Sequence, residues 1–241
     1  SAVAASTEST LLLTAYGQLW DAEVTSRLVS EGTLRFCYLL QSRESFKQRH
    51  QEYAHDLFQI LLLKDHRKAT ELLRVLPDPE SDRWRPLREM LLSEEKVAQM
   101  SAGINPGEKR ALETKWGFTG LIAELSRSGD PIFSGFTGLL YGYSLASHIQ
   151  HADSIGIAIR LERDLREPER RDALHAAHQA RLISDVLASM KMRLFVGYRF
   201  IDGDRQALDA ASRRINDLLK ELGSVYQDWM DCEYRSRAER D

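Results

Sequence analysis

The sequence predicts an all-α protein: a multi-helix bundle of about seven or eight helices with a C-terminal antiparallel helical hairpin. Three observations lead there. Apolar residues recur at threes and fours through almost every long segment. No stretch shows the apolar–polar alternation between turn signals that marks a half-buried strand. Residues 205–235 carry a heptad-like seam, Leu208, Ile215, Leu222 and Trp229 beside Ala211, Leu218, Val225 and Cys232. The expected organisation is a helical core over residues 1–160 and the hairpin over 161–241, packed on that core within one domain.

Taken in order, residues 6–41 read as one long helix, with Leu12, Ala15, Leu19, Ala22, Val29, Phe36 and Leu40 inward. Beside that stripe Glu23, Arg27, Glu31 and Arg35 follow at steps of four with alternating sign. This is either a solvated ladder of i, i+4 ion pairs or, for Arg27 and Glu31, the lining of a polar pocket. Residues 43–63 form a second helix, with Phe46, Tyr53, Leu57, Ile60 and Leu61 inward, continuing past a break near Asp65 to Leu76. The Pro77–Asp–Pro run is a loop. Helices follow over 84–100 and 108–127, separated by a Gly- and Pro-containing turn. The pentapeptide Gly117-Phe-Thr-Gly-Leu121 recurs as Gly135-Phe-Thr-Gly-Leu139, too short to be a repeat architecture. Residues 131–156, the most apolar and glycine-rich stretch, read as a central buried helix. Ser134, Gly138, Gly142 and Ala146 fall on one line there, a face for close approach by a neighbour. Residues 160–172 are laced with charge and broken by Pro168. A helix over 172–199 has Ala176, Ala180, Ile183, Leu187, Met190 and Leu194 in its seam, and Asp202-Gly-Asp turns the chain into the last helix.

The totals narrow the function classes. The chain has 241 residues, 43% hydrophobic and 29% charged, with a formal net charge of -3. That is ordinary for a globular protein and no bulk field for a polyanion. Two cysteines far apart in sequence suit a reducing compartment. No basic region precedes an apolar run at the start, and no apolar stretch reaches the roughly 18 residues of a spanning helix. The expectation is a cytoplasmic protein without a membrane partner. No Walker sequence, Gly-rich phosphate loop or nucleophile elbow is present, so no cofactor is expected.

The polar residues with chemistry cluster at the end of the 131–156 stretch: Ser144, His148, His151 and Asp153. Ser144 and His148 stand at i, i+4 on a face separate from the glycine line. Glu52 and His55 have the ExxH spacing of a carboxylate-bridged di-iron half-site, but the matching half, Asp172 with His175, has the wrong acid. His148/His151 and His175/His178 are two HxxH pairs that, with Asp153, could serve a metal if their helices met. R-x4–6-H windows, including Arg171 to His178, follow from an arginine-rich composition.

Arg27-Leu-Val-Ser-Glu31, Trp116 and Tyr141-Gly-Tyr-Ser144-Leu-Ala-Ser-His148 together resemble an uncharacterised bacterial all-helical family. Its members carry an R-x-x-x-E helix, a tryptophan and a Y-x-x-S-x-x-x-H helix in that order. That family is similar to HEPN-type domains of toxin–antitoxin and phage-defence systems, many of them metal-independent ribonucleases working as dimers. The resemblance covers about residues 10–160. It implies a pocket shared by Arg27, Glu31, Tyr141, Ser144 and His148, with RNA as substrate and His148 as general acid/base. Two other readings stand beside it: a non-catalytic interaction module that assembles with itself or a partner through helical surfaces, and a histidine-rich metal-binding bundle.

Overall fold

The structure, a computed structural model, describes residues 2–103 and 105–235, the Arg235 side chain excepted. Every regular element among them is helical. The chain divides into two compact units, one of residues 1–42 with 122–241, the other of residues 43–121.

The first unit opens with α1 (Ala2–Ala15) and α2 (Leu19–Leu39), where a single helix was expected. Gly17, at φ +72°, breaks it. Its amide bonds the Thr14 carbonyl at 3.0 Å and the Gln18 amide reaches back to Leu13 at 2.8 Å, a left-handed helix stop that glycine adopts without steric cost. The chain reverses and α1 lies along α2. The expected inward face is turned out on α1, where Leu12 is 59% exposed while Thr7, Thr10 and Thr14 are buried, and holds on α2, where Leu19, Ala22 and Val29 are buried. Each threonine hydroxyl bonds the carbonyl four residues earlier, at 2.8, 2.8 and 2.7 Å, so its burial leaves no polar group unmet. Small residues let the helices approach closely. A Cβ on Gly32 would sit 2.3 Å from Cγ2 of Val3.

The second unit contains α3 (Arg43–Gln51), a π-helical segment Glu52–Leu57, α4 (Phe58–Val75), α5 (Arg85–Arg88), α6 (Glu94–Ala102) and α7 (Pro106–Lys115). The π segment widens the turn, which rotates the face that α4 presents. Ile60 is buried as expected, but Tyr53 and Leu61 are 37% and 47% exposed. The helix runs through Asp65 without a break. The helix expected over 84–100 is interrupted between α5 and α6, where His66 Nδ1 accepts the Leu92 amide at 3.1 Å. Asn105 and Glu108 form a reciprocal capping box on α7. The helix expected over 108–127 breaks at Trp116–Gly117. The corner after it requires glycine at 120, whose Cβ would lie 2.1 Å from the Thr114 carbonyl.

From there α8 (Phe118–Ser126) leads back to the first unit. Residues 131–156 are not one helix. Two 3-10 turns, Pro131–Phe133 and Phe136–Gly138, precede α9 (Leu139–His151), and α10 (Ser154–Asp164) comes after it. The small-residue line is not a packing face either. A Cβ on Gly138 or Gly142 meets nothing within 4 Å, and of that line Ala146 alone is fully buried. The two GFTGL copies also differ: the first opens α8, the second forms a 3-10 turn.

Helix α11 (Pro168–Ile201) is the axis of this unit and touches α1, α2, α10, α12 and α13. It begins on Pro168, which fits the first helical turn because no amide partner is needed there. Its buried line is His178, Leu182, Val186 and Val196 with Ala180, rotated from the expected seam. Asp202, left-handed at φ 52°, turns the chain into α12 (Arg205–Glu221) and α13 (Gly223–Met230). The expected hairpin of two continuous helices is not matched in detail: its second arm is stepped at Leu222 into α12 and α13, both of which pack on α11. Leu208, Ser212 and Ile215 are buried and Leu218 is 49% exposed, a helical repeat rather than a strict heptad.

Candidate functional site

The Glu23–Arg27–Glu31–Arg35 line of α2 is not a solvated ladder. Arg27 and Glu31 keep 16% and 19% of their side chains exposed. α9 packs on this face and brings two acceptors to Arg27. Nη2 donates to the Tyr143 hydroxyl at 2.5 Å and Nη1 to Gln150 Oε1 at 2.6 Å, while Nε donates to Glu31 Oε1 at 3.1 Å. The Tyr143 hydroxyl in turn donates to Glu31 Oε1 at 3.3 Å, and Arg35 holds the other Glu31 oxygen at 3.2 Å. The Arg27 guanidinium also lies over the Tyr143 ring, 4.2 Å from its centroid. Burial, and then Glu31, push the Tyr143 phenol above its ordinary range, so it keeps its proton and donates. The network is closed: Arg27 is engaged by three acceptors, and it fastens α9 to α2.

An α-helix advances about 100° per residue. Tyr143, Ala146 and Gln150 therefore share the face of α9 that meets α2. His148, five residues beyond Tyr143, points about 140° away, and Tyr141 and Ser144 point with it. The structure thus splits the expected residue set. Arg27 and Glu31 meet each other and Tyr143, a residue the sequence reading did not select. Tyr141, 80% exposed, Ser144, exposed, and His148 share the outer face.

His148 has its own partner. Its Nδ1 lies 2.7 Å from Asp153 Oδ2. The other oxygen of Asp153 accepts the Ile155 and Gly156 amides, both at 3.0 Å, and caps α10. The Gly156 amide first, then His148, hold the Asp153 carboxyl below the usual carboxylate range. With Asp153 ionised, Nδ1 is the donor of that bond, and the tautomer of the neutral ring that fits it presents Nε2 as an acceptor. The His148 side chain is 33% exposed. Two backbone features set this geometry. Ala152 lies between the two residues at φ 47°, a left-handed conformation that costs a non-glycine residue roughly 1–2 kcal/mol. Gly156 sits against the end of α9, where a Cβ would come 2.3 Å from the His148 carbonyl. Asp153 stood in the sequence cluster, but its link to His148 crosses a helix stop, where helical periodicity gives no signal.

The remaining candidates are engaged elsewhere. In the second unit Glu52 accepts both oxygens' bonds from Lys115, at 2.9 and 2.7 Å, and the Trp116 indole N–H at 3.1 Å. Trp116 is therefore a buried structural residue there. His175 lies 3.9 Å from Asp164, and both nitrogens of His178 are bonded, to Arg163 and Glu23. Among the described residues no group of three or more His, Cys, Asp or Glu side chains is placed to hold a metal ion. Among them, too, no helix is long and apolar enough to cross a membrane. Arg170 and Arg171 pair with Glu233 and Asp172. Comparison with family models, curated proteins and solved structures returned no match.

Proposed function

We propose that this chain is a HEPN-like helical protein of a bacterial stress or phage-defence system that cleaves RNA without a metal, with His148 as its general acid/base. The observation that carries the reading is the Asp153–His148 pair. Asp153 orients the ring and sets its tautomer, and the basic Nε2 is on the outer face of α9 beside Ser144 and Tyr141. In the reaction, Nε2 takes the proton of a ribose 2′-hydroxyl. That oxygen attacks the adjacent phosphorus, the bond to the 5′-oxygen breaks, and the departing oxygen takes a proton from water. The products are a 2′,3′-cyclic phosphate and a 5′-hydroxyl. Arg27 and Glu31, with their bonds committed to Tyr143 and Gln150, position α9 in this scheme and do not contact substrate.

The test is cleavage of a labelled RNA by the purified chain in the presence of a chelator. Wild type is expected to cut, His148→Ala to lose the activity, and Asp153→Asn to lower it about 10²-fold or more. RNA left intact across the pH range, or cut equally well by His148→Ala, would sink the catalytic assignment.

A second reading, a non-catalytic module assembling with itself or a partner, is favoured by one observation. Ile157, Leu161 and Leu165, on one side of α10 and just past its end, are 51%, 54% and 81% exposed. Light scattering of the full chain against Leu161→Lys decides it: a monomer in both cases removes self-assembly through this face.

A further inference from the structure

On α11, His178 is 6% exposed, and each of its ring nitrogens meets a different partner. Nδ1 lies 3.0 Å from Arg163 Nη1 of α10. Nε2 lies 2.8 Å from Glu23 Oε2 of α2. A guanidinium can only donate, so Nδ1 is the acceptor, and Nε2 carries the single proton and gives it to Glu23. The neutral Nε2–H tautomer is the one form that satisfies both bonds. A second proton, on Nδ1, would set N–H against N–H and place a cation beside Arg163.

Every element around the ring contributes charge or shape. α2 supplies Glu23, 3% exposed, and Trp20, whose ring is edge-on to His178 at 5.7 Å and lies 5.2 Å from the Arg163 guanidinium. α10 supplies Arg163. α11 supplies Arg181, which bonds Glu23 and, at 2.8 Å, Asp185. Burial would raise the Glu23 carboxyl, but His178 and Arg181 more than offset it, and it stays ionised. Burial pushes the Asp185 carboxyl up. For His178, burial favours the neutral ring, Glu23 opposes, Arg181 and Arg163 reinforce, and the ring titrates below its ordinary range. A weaker contact of opposite sign joins the same helices: His175 of α11 is 3.9 Å from Asp164 of α10 and would attract it when protonated. Both side chains are more than a third exposed, and such a pair contributes little.

We propose that Arg163, His178 and Glu23 form a proton-operated latch that fastens α10 to α2 and α11 at neutral pH and releases α10 on acidification. The latch is independent of the RNA reading. It uses none of that site's residues, and it is read out by backbone exposure rather than by cleavage.

Hydrogen exchange over residues 154–164 of the full chain tests it, compared at about pH 7.5 and about pH 5 after correction for intrinsic rates. The informative variant is His178→Gln. A glutamine amide donates to Glu23 and accepts from Arg163 but takes no proton. Wild-type protection of α10 is expected to fall about tenfold or more on acidification, and the Gln variant to hold its protection at both pH values. Arg163→Met, which keeps the length of the side chain but has no donor, removes the α10 side of the latch and should leave α10 exposed at both. The latch is overturned if wild-type α10 is equally protected at the two pH values. It is also overturned if His178→Gln loses protection on acidification as wild type does, or if Arg163→Met keeps the wild-type pH response.

Discussion

At the scale of the residue, the two tyrosines that flank Gly142 have opposite roles. Tyr143 joins Arg27 and Glu31 in a half-buried network, and Tyr141 projects from the surface. Removing one hydroxyl from each separates the roles. Tyr143→Phe is expected to cost about 1 kcal/mol in urea unfolding, the size of a lost buried hydrogen bond. Tyr141→Phe is expected to stay within about 0.5 kcal/mol of wild type. The residue scale is also where the sequence was hardest to read. Steps of four exposed the Arg27–Glu31 pair, because both lie on one helix. Which tyrosine of α9 would meet them depended on how α9 rolls against α2, and no spacing within α9 states that. The His178 cluster was not legible for a related reason: its polar members come from three helices, and the sequence set Glu23 in the charge line of α2 and His178 in an HxxH pair with nothing to link the two. His178 also bears on pH dependence. Its folded value lies below that of the unfolded chain, so between the two the unfolded chain binds more protons. The stability it contributes is full above about pH 6.5 and is lost as the pH falls through that window. A urea midpoint that declines over this range in wild type, and declines less in His178→Gln, is the expected result.

At the scale of the element, helix existence was legible and helix ends were not. Gly17, Leu222 and the pair Trp116–Gly117 each interrupt an apolar pattern that continues in phase on both sides, so periodicity ran straight through them. The π segment at Glu52–Leu57 shows the converse: the helix persists while its face rotates. The left-handed stops can be tested directly. Ala152 holds φ 47° without the freedom of glycine, so Ala152→Gly should raise stability by about 1 kcal/mol, measurable as a higher unfolding midpoint. If the strain holds His148 against Asp153, the same variant should lower RNA cleavage while stabilising the chain. Gly156→Ala should act oppositely on the fold. Its methyl would collide with the His148 carbonyl, and the midpoint should drop.

At the scale of the whole molecule, the all-α class followed from composition and period, because a helix writes its pattern locally. The division into units did not, because it depends on contacts between residues far apart in the chain. Burial within the first unit makes one further outcome measurable. Cys37 is fully buried and its thiol is pushed up to about 12, first by burial. The folded thiol should resist alkylation at mildly alkaline pH and react at the rate of global opening. Mass-spectrometric labelling should therefore modify Cys232, which is partly exposed, well before Cys37. Equal rates at the two cysteines would contradict the buried placement of α2.

The first unit is assembled from residues 1–42 and 122–241, with the second unit's 79 residues (43 to 121) between them. On a ribosome, α1 and α2 emerge early, but α11, the helix against which both pack, is completed only after residue 201. The intervening residues 43–121 are contiguous and can close on themselves first. During that interval the buried carboxylate of Glu23 has neither His178 nor Arg181, and it stays in water until α11 arrives. Synthesis order thus gives the polar face of α2 a second role: it keeps an early helix hydrated until its late partner is made.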